Sequence, residues 1–203
     1  QEKFDGRRML IRKRGVTVIG INRRGLVIAI PDSIREAVAA IRRDFLIDGE
    51  AVGERLHAFD LLELDDENLR TVRYIDRHVR MQNLMLKRST AIQPVDTYLA
   101  PGDKLRVFEE LKARRSEGVV LKEIDAPFSS GRPNSGGSML KFKFVESASF
   151  VVTGHNAKRS VTLGLYDGDT LVPAGNVTIP PNHKIPEVGQ VCEVRFLYAF
   201  RES

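Results

Sequence analysis

The chain has 203 residues, 42% of them hydrophobic, enough for one large domain or two small ones with a buried core. Lys and Arg number 32 against 27 Asp and Glu, and this net charge of +5 is a mild basic excess that suits a phosphate-rich partner. The single cysteine, Cys192, excludes an internal disulfide framework and a multi-cysteine zinc site, and no apolar run approaches the ~20 residues of a membrane-spanning helix.

In chain order, Met9-Leu10-Ile11 and Val16-Thr17-Val18-Ile19 are β-rich runs, with the basic stretch Arg12 to Gly15 expected as the turn between them. Asn22-Arg23-Arg24-Gly25 predicts a second turn, and Leu26 to Ile30 a strand. Pro31-Asp32-Ser33 opens a helix. There Ser33 and Glu36 form a capping-box pattern, while Ile34, Val38 and Ile41 share one face. Phe45-Leu46-Ile47 is a short buried strand running into Asp48-Gly49-Glu50, and Leu56 to Leu62 reads as its neighbour. Tyr74 to Lys87 predicts a helix with Ile75, Val79 and Leu86 on roughly one side. A third helix starts near Asp103, buries Leu105, Phe108 and Leu111, and ends around Ser116, where Gly118 breaks the pattern. Val119-Val120-Leu121 is a further buried strand.

Beyond it, Ser129 to Gly137 is a polar loop and Met139 to Val145 a strand. From Ser147 onward short strands follow one another, with Asp167-Gly168 as a hairpin turn and Pro180-Pro181-Asn182 as a loop. This tail of about 55 residues is expected to form a small barrel of the OB kind, with a domain boundary near Glu146. The four histidines, His57, His78, His155 and His183, lie far apart and show no metal-ligand spacing. The one cysteine favours a reducing, intracellular setting.

Chemistry concentrates in a few stretches. In Lys3-Phe4-Asp5-Gly6-Arg7-Arg8, an extended backbone would put Lys3 and Asp5 on one side, and Gly6 would permit a tight turn or close approach to a ligand. A lysine amine is a nucleophile only when neutral, a form that burial and nearby cations favour. A pocket rich in Lys and Arg could bind a nucleoside triphosphate and activate one of its own lysines; a solvated charged turn is the alternative. Asp48-Gly49-Glu50 places carboxylates at a strand end, able to hold Mg²⁺ or a ribose hydroxyl, or simply to form an Asp-Gly turn. Phe59 could stack on a base or fill the core. Strict alternation puts Glu117 and Lys122 on opposite faces of their strand, so serving one pocket would require a bulge or turn near Gly118. Lys141 and Lys143 share a strand face, where they repel unless an anion lies between them or the strand is an exposed edge.

Taken in order, K-x-D-G-x-R, D-G-E, F-D, E-G-V-V-L-K and K-x-K resemble the ATP-dependent DNA ligases, members of the covalent nucleotidyltransferase superfamily with RNA ligases and mRNA capping enzymes. The resemblance implies an α+β fold: an antiparallel-sheet nucleotidyltransferase domain over residues 1–146, followed by an OB-fold β-barrel over 147–203, cut short at its C-terminus. It implies that Lys3 attacks the α-phosphate of ATP to form lysyl-AMP, and that Asp5 and Gly6 shape the pocket. Arg8 contacts the nucleotide or the nick phosphate, and Phe59 stacks on adenine. Lys122, Lys141 and Lys143 grip phosphates. Glu50 contacts ribose or metal, and Glu117 supports metal binding, the metal being Mg²⁺. Arg23 matches the arginine that binds the nick 5′-phosphate. Met139 stands where an aromatic residue often precedes the last lysine pair.

The partner implied is nicked duplex DNA, and the protein is expected to be a monomer of minimal viral or bacterial type, serving DNA repair, replication or recombination. Residues usual before the nucleophilic lysine, and a basic motif usual after Phe200-Arg201-Glu202-Ser203, are not found. The chain is therefore expected to be a piece of a longer protein that self-adenylates poorly alone. An RNA ligase is the nearest rival. A capping guanylyltransferase would read Asp-Gly in place of Glu117-Gly118, and an NAD-dependent ligase would lack Arg8 and carry several cysteines. A non-catalytic nucleic-acid-binding module is the rival of a different class.

Overall fold

The computed structural model describes residues 1–85, 89–130 and 137–197. The chain divides into two units, Gln1–Lys143 and Phe144–Ser203. In the first, β1 is Glu2–Lys3, β2 Arg7–Arg14, β3 Thr17–Ile21 and β4 Val27–Ile28. Helix α1 spans Asp32–Ala39, followed by β5 Phe45–Val52, β6 Arg55–Leu64 and β7 Glu67–Asn68. Helix α2 spans Tyr74–Leu84, β8 Ile92–Pro94, α3 Pro101–Ala113, β9 Gly118–Lys122 and β10 Met139–Lys143.

The large sheet runs β4-β3-β2-β5-β6-β7, with β8 pairing parallel to β6. A smaller antiparallel sheet runs β1-β9-β10. One core holds the first unit together. Met9 and Ile11 of β2, Phe45 and Ile47 of β5, and Leu56 and Leu61 of β6 are fully buried with Ile34 and Val38 of α1 and Met81 of α2. Burying each such side chain contributes about 2 kcal/mol.

Several local expectations change. The basic stretch after Ile11 is strand, not turn: β2 continues to Arg14 and the turn is Gly15-Val16. Distant carboxylates make this possible. Lys13, though buried, donates to the Gly15 carbonyl and lies 3.6 Å from Asp44, while Arg14 pairs with Glu63 and Asp66. The strand expected over Leu26 to Ile30 shortens to Val27–Ile28. Ser33 caps no helix; its hydroxyl donates to the Glu54 backbone and carboxylate, and Pro31 precedes α1. The buried face of α2 is Tyr74, Arg77, His78 and Met81, and Val79 is exposed. Leu86, expected on that face, lies outside the described residues. Leu105 of α3 is likewise exposed; Leu111 is buried as expected, and Val107 points inward with it.

In the second unit, β11 Glu146–Asn156, β12 Ser160–Asp167, β13 Thr170–Thr178 and β14 Val191–Phe196 form an antiparallel sheet ordered β13-β12-β11-β14. Phe150, Val152, Val161 and Leu163 form its core, with Phe196 edge-on to Phe150. Register shifts at Val152/Gly154 and Leu163/Gly164 bend the strands. The expected closed barrel is not seen: among the described residues β13 and β14 remain edges of an open sheet. No helix among the described residues is long and apolar enough to cross a membrane.

The β9–β10 pair depends on Gly118. Its φ is +156°, and a Cβ there would stand 2.0 Å from the Phe142 carbonyl oxygen on the facing strand. Gly118→Ala is expected to lower unfolding stability by about 2 kcal/mol or more. Urea denaturation measures this; a loss under about 0.5 kcal/mol would mean that β10 shifts aside at little cost.

Candidate active site

A cavity of about 360 Å³ lies within the first unit. Its floor is the face of β2, β5 and β6 that carries Arg8, Asp48, Glu50, Phe59 and Asp60. Its walls are Lys3 and Phe4, Tyr74 and Arg77 of α2, Val120 and Lys122 of β9, the segment Glu123 to Ser130, and Met139 and Lys141 of β10.

Strand alternation explains most of this lining. Asp48 and Glu50, Val120 and Lys122, and Met139 and Lys141 are each two residues apart, so each pair faces one side. The Asp48-Gly49-Glu50 stretch therefore lies inside β5 rather than at a strand end or in a turn. Phe59 and Asp60 are adjacent yet both line the cavity. Asp48 pairs with Asp60 and Gly49 with Ala58, which leaves Phe59 as the extra, bulged residue. Its carbonyl, released from the ladder, accepts a 2.9 Å bond from Lys122 Nζ. The Lys122 ammonium also sits over the rings of Phe59, at 5.0 Å, and Tyr74, at 4.2 Å.

Lys3 is brought to the rim by β1, which pairs with β9 so that Lys3 faces Gly118. Its ammonium donates to Glu117 Oε2, and Lys143 Nζ lies 2.9 Å from Glu117 Oε1. Glu117 is thus buried between Lys3 and Lys143, and its charge offsets that of Lys143, one of the two lysines expected to repel on β10. Its approach to Lys3 needs no bulge in β9, whose pairing is regular; the positive φ of Gly118 serves instead.

Arg8 forks onto Asp48, Nε to Oδ1 at 2.9 Å and Nη2 to Oδ2 at 2.5 Å. Burial pushes the Asp48 carboxyl above its usual range, and the Arg8 hydrogen bonds oppose this. Burial likewise raises the Glu50 carboxyl against the charges of Lys3 and Lys141. Tyr74 is pushed up to about 12 by burial; its hydroxyl accepts a 2.7 Å bond from Gln1 Nε2.

The structure thus brings Lys3, Arg8, Glu50, Phe59, Lys122 and Lys141 to one cavity, with Glu117 and Lys143 joined through Lys3. Asp5, Gly6 and Arg23 are exposed and do not line it. β1 ends at Lys3, so alternation does not carry Asp5 to the same side. The close approach at Gly6 is to backbone: a Cβ there would lie 2.4 Å from the Ala51 carbonyl oxygen. Arg23 sits in the turn between β3 and β4, where the Asn22 side chain accepts from the Arg24 and Leu26 amides. Sequence reasoning missed Asp60 and Arg77 as site residues. An aspartate after Phe59 was visible; an arginine on a largely polar helix gave no signal.

Burial drives the Lys122 ammonium down from 10.5 to about 8, against the pull of Asp60 and Asp48. A lysine whose folded value is lowered leaves the unfolded chain holding more protons between the two values, so stability rises with pH there. Lys122 is expected to add such a rise between about pH 8 and pH 10.5. Denaturation across that range should show a shallower slope in Lys122→Met; an unchanged slope would contradict the shift.

The family model described as ATP dependent DNA ligase domain matches residues 52–143. A Streptomyces coelicolor protein named "Probable DNA ligase" is 28% identical over 210 residues, covering 83% of this chain and 40% of the relative. A Methanopyrus kandleri DNA ligase is 28% identical over 144 residues, covering 67% of this chain and 25% of that one. The chain thus spans about 40% of the length of the first relatives it matches. Among solved structures, the ligase domain of M. tuberculosis LigD aligns with a TM-score of 0.61 at 27% identity, over 87% of this chain and 64% of that one. A Lig E DNA ligase, at 20% identity, shares the fold with a TM-score of 0.72 over 99% of this chain and 86% of that one. With its motifs gathered on one cavity and a little under half of its length matching that family model, the chain is similar to the ATP-dependent DNA ligases.

Proposed function

We propose that this protein is an ATP-dependent polynucleotide ligase that seals nicks in duplex DNA. The observation that carries this reading is Lys3, held by Glu117 at the rim of a cavity lined by Arg8, Glu50, Phe59, Lys122 and Lys141. That is a nucleophile beside a nucleotide-sized site with an aromatic face, a carboxylate and three cations.

The reaction follows from those groups. Lys3 Nζ gives up a proton to Glu117, which already accepts its hydrogen bond, and attacks the α-phosphorus of ATP. The N–P bond forms as the bond to pyrophosphate breaks. Phe59 stacks on adenine, Glu50 meets the ribose, and Arg8, Lys122, Lys141 and Lys143 offset phosphate charge. A 5′-phosphate oxygen then attacks the lysyl-bound phosphorus, and Lys3 leaves and regains its proton. Last, the 3′-hydroxyl attacks the 5′-phosphorus, AMP departs, and the hydroxyl proton passes to solvent.

Among the described residues no group of three or more His, Cys, Asp and Glu forms a metal cage. Mg²⁺ needs none, since it is commonly held by one or two carboxylates with substrate phosphates. Glu50, on the cavity floor, fits that role; Glu117 joins it only on releasing a lysine. When bound, Mg²⁺ neutralises phosphate charge and orients the leaving pyrophosphate.

We read the first unit, Gln1–Lys143, as the adenylation domain, with Asp5 and Gly6 shaping its entrance and Arg23 meeting the nick 5′-phosphate. The second unit, Phe144–Ser203, is read as an OB-type module whose basic residues follow the DNA backbone without reading sequence. The working unit is a monomer, and the setting is intracellular, where ATP and DNA occur together.

Two measurements test this reading. Full-length protein is expected to seal nicked DNA with ATP in preference to GTP or NAD, with Lys3→Ala reduced more than about a thousandfold. Equal sealing by both proteins would end the enzyme reading, and preferential sealing of nicked RNA would redirect it to an RNA ligase. Phe59→Ala is expected to raise the KM for ATP about tenfold, as base stacking is worth ~1–3 kcal/mol. An unchanged KM would remove Phe59 from the nucleotide site.

A further inference from the structure

Asp60 and Arg77 have no part in the chemistry above, yet both are buried, at 5% and 2% exposure, against the cavity. Their contact is forked: Arg77 Nε donates to Asp60 Oδ1 and Nη2 to Oδ2, both at 2.8 Å. The third guanidinium nitrogen, Nη1, donates to the Val72 carbonyl and, at 3.4 Å, to that of Ala126. Ala126 also accepts the Tyr74 amide. One side chain therefore ties the floor strand β6, the start of α2 and the cavity wall together.

The charges are interdependent. Asp60 stands opposite Asp48 in the β5–β6 register, and Asp48 holds Arg8. Facing carboxylates repel unless each keeps its cation, and losing one guanidinium strands a buried charge. Asp60 also immediately follows the bulged Phe59, whose ring and carbonyl both engage Lys122. Whatever fixes Asp60 thereby fixes the direction of the Phe59 ring and the height of the Lys122 ammonium.

We propose, resting on the reading that this cavity binds ATP, that Arg77 and Asp60 are positioning residues for nucleotidyl transfer, acting through Phe59 and Lys122. The groups that face Lys122 are Asp60 of β6, Asp48 of β5, Arg8 of β2, and Tyr74, Arg77 and His78 of α2. Of these, Asp60 strengthens the hold of Lys122 on its proton and Arg77 weakens it. Removing one or the other must therefore move the loss of the Lys122 charge in opposite directions along the pH axis.

The test is the initial rate of lysyl-AMP formation by the full-length protein, with radiolabelled ATP varied in concentration and pH. Wild type is compared with Asp60→Asn, Arg77→Met and Arg77→Lys. Asp60→Asn and Arg77→Met are expected to raise the KM for ATP at least about tenfold. The pH at which that KM climbs should fall by about one unit in Asp60→Asn and rise in Arg77→Met. Arg77→Lys, which keeps the cation, should recover most of the lost affinity. Wild-type KM and pH midpoint in both charge-removing variants would overturn the proposal, whatever their melting temperatures. Should Arg77→Met fail to fold, Arg77→Gln, which also removes the cation, takes its place in the comparison with Asp60→Asn. Absence of Lys3 labelling in the wild type would instead overturn the ligase reading beneath it.

Discussion

Two aspartates, Asp48 and Asp60, stand opposite each other beneath the cavity, and the first unit depends on how their charge is held. A buried carboxylate costs several kcal/mol unless it is paired and hydrogen-bonded. Here each receives a forked arginine, Arg8 from β2 and Arg77 from α2. The bonds that make the carboxylates tolerable are also the bonds that lock strand and helix to the sheet. A polar floor is therefore kept rigid beneath the cavity, where apolar packing alone would leave no charged group.

The site is completed by departures from regular strand geometry. The bulge at Phe59 turns two consecutive residues toward the cavity and frees a carbonyl for Lys122. The positive φ at Gly118 lets Glu117 reach Lys3 while β9 keeps its register with β10. The bare backbone of Gly6 lets the chain pass against Ala51 on its way from Lys3 to Arg8. In each case a regular strand would send a needed side chain to the wrong face. Glycine or a bulge is how the chain avoids that.

Much of the architecture was legible because apolar periodicity is a local signal. Ile34 and Val38, the run at Phe45 and the strands after Ser147 fall where their patterns suggest, and the run at Val119 is a strand as expected, although its Leu121 is exposed rather than buried. Legibility failed wherever a charge was satisfied from far away. Arg12 to Arg14 read as a turn, since nothing nearby in the chain announces Asp44, Glu63 or Asp66. The inward face of α2 was misjudged for the same reason, since Arg77 turns inward only to meet Asp60, seventeen residues earlier. Among the proposed site residues, Lys3, Arg8, Glu50, Phe59, Lys122 and Lys141 could be named from motif order, whereas Arg77 could not.

By itself, the sequence determined which residue types were available for phosphate chemistry, their order along the chain, and the strands and helices that carry them. It did so because side-chain type and apolar spacing are properties of neighbouring residues. Only the tertiary structure decided that Glu117 divides its two oxygens between Lys3 and Lys143 and that Asp60 needs Arg77. It alone decided, too, that Asp5 and Arg23 stand apart from the cavity. These outcomes turn on pairing register, a bulge and the neutralisation of buried charge between residues far apart in sequence, and no local pattern encodes such pairings.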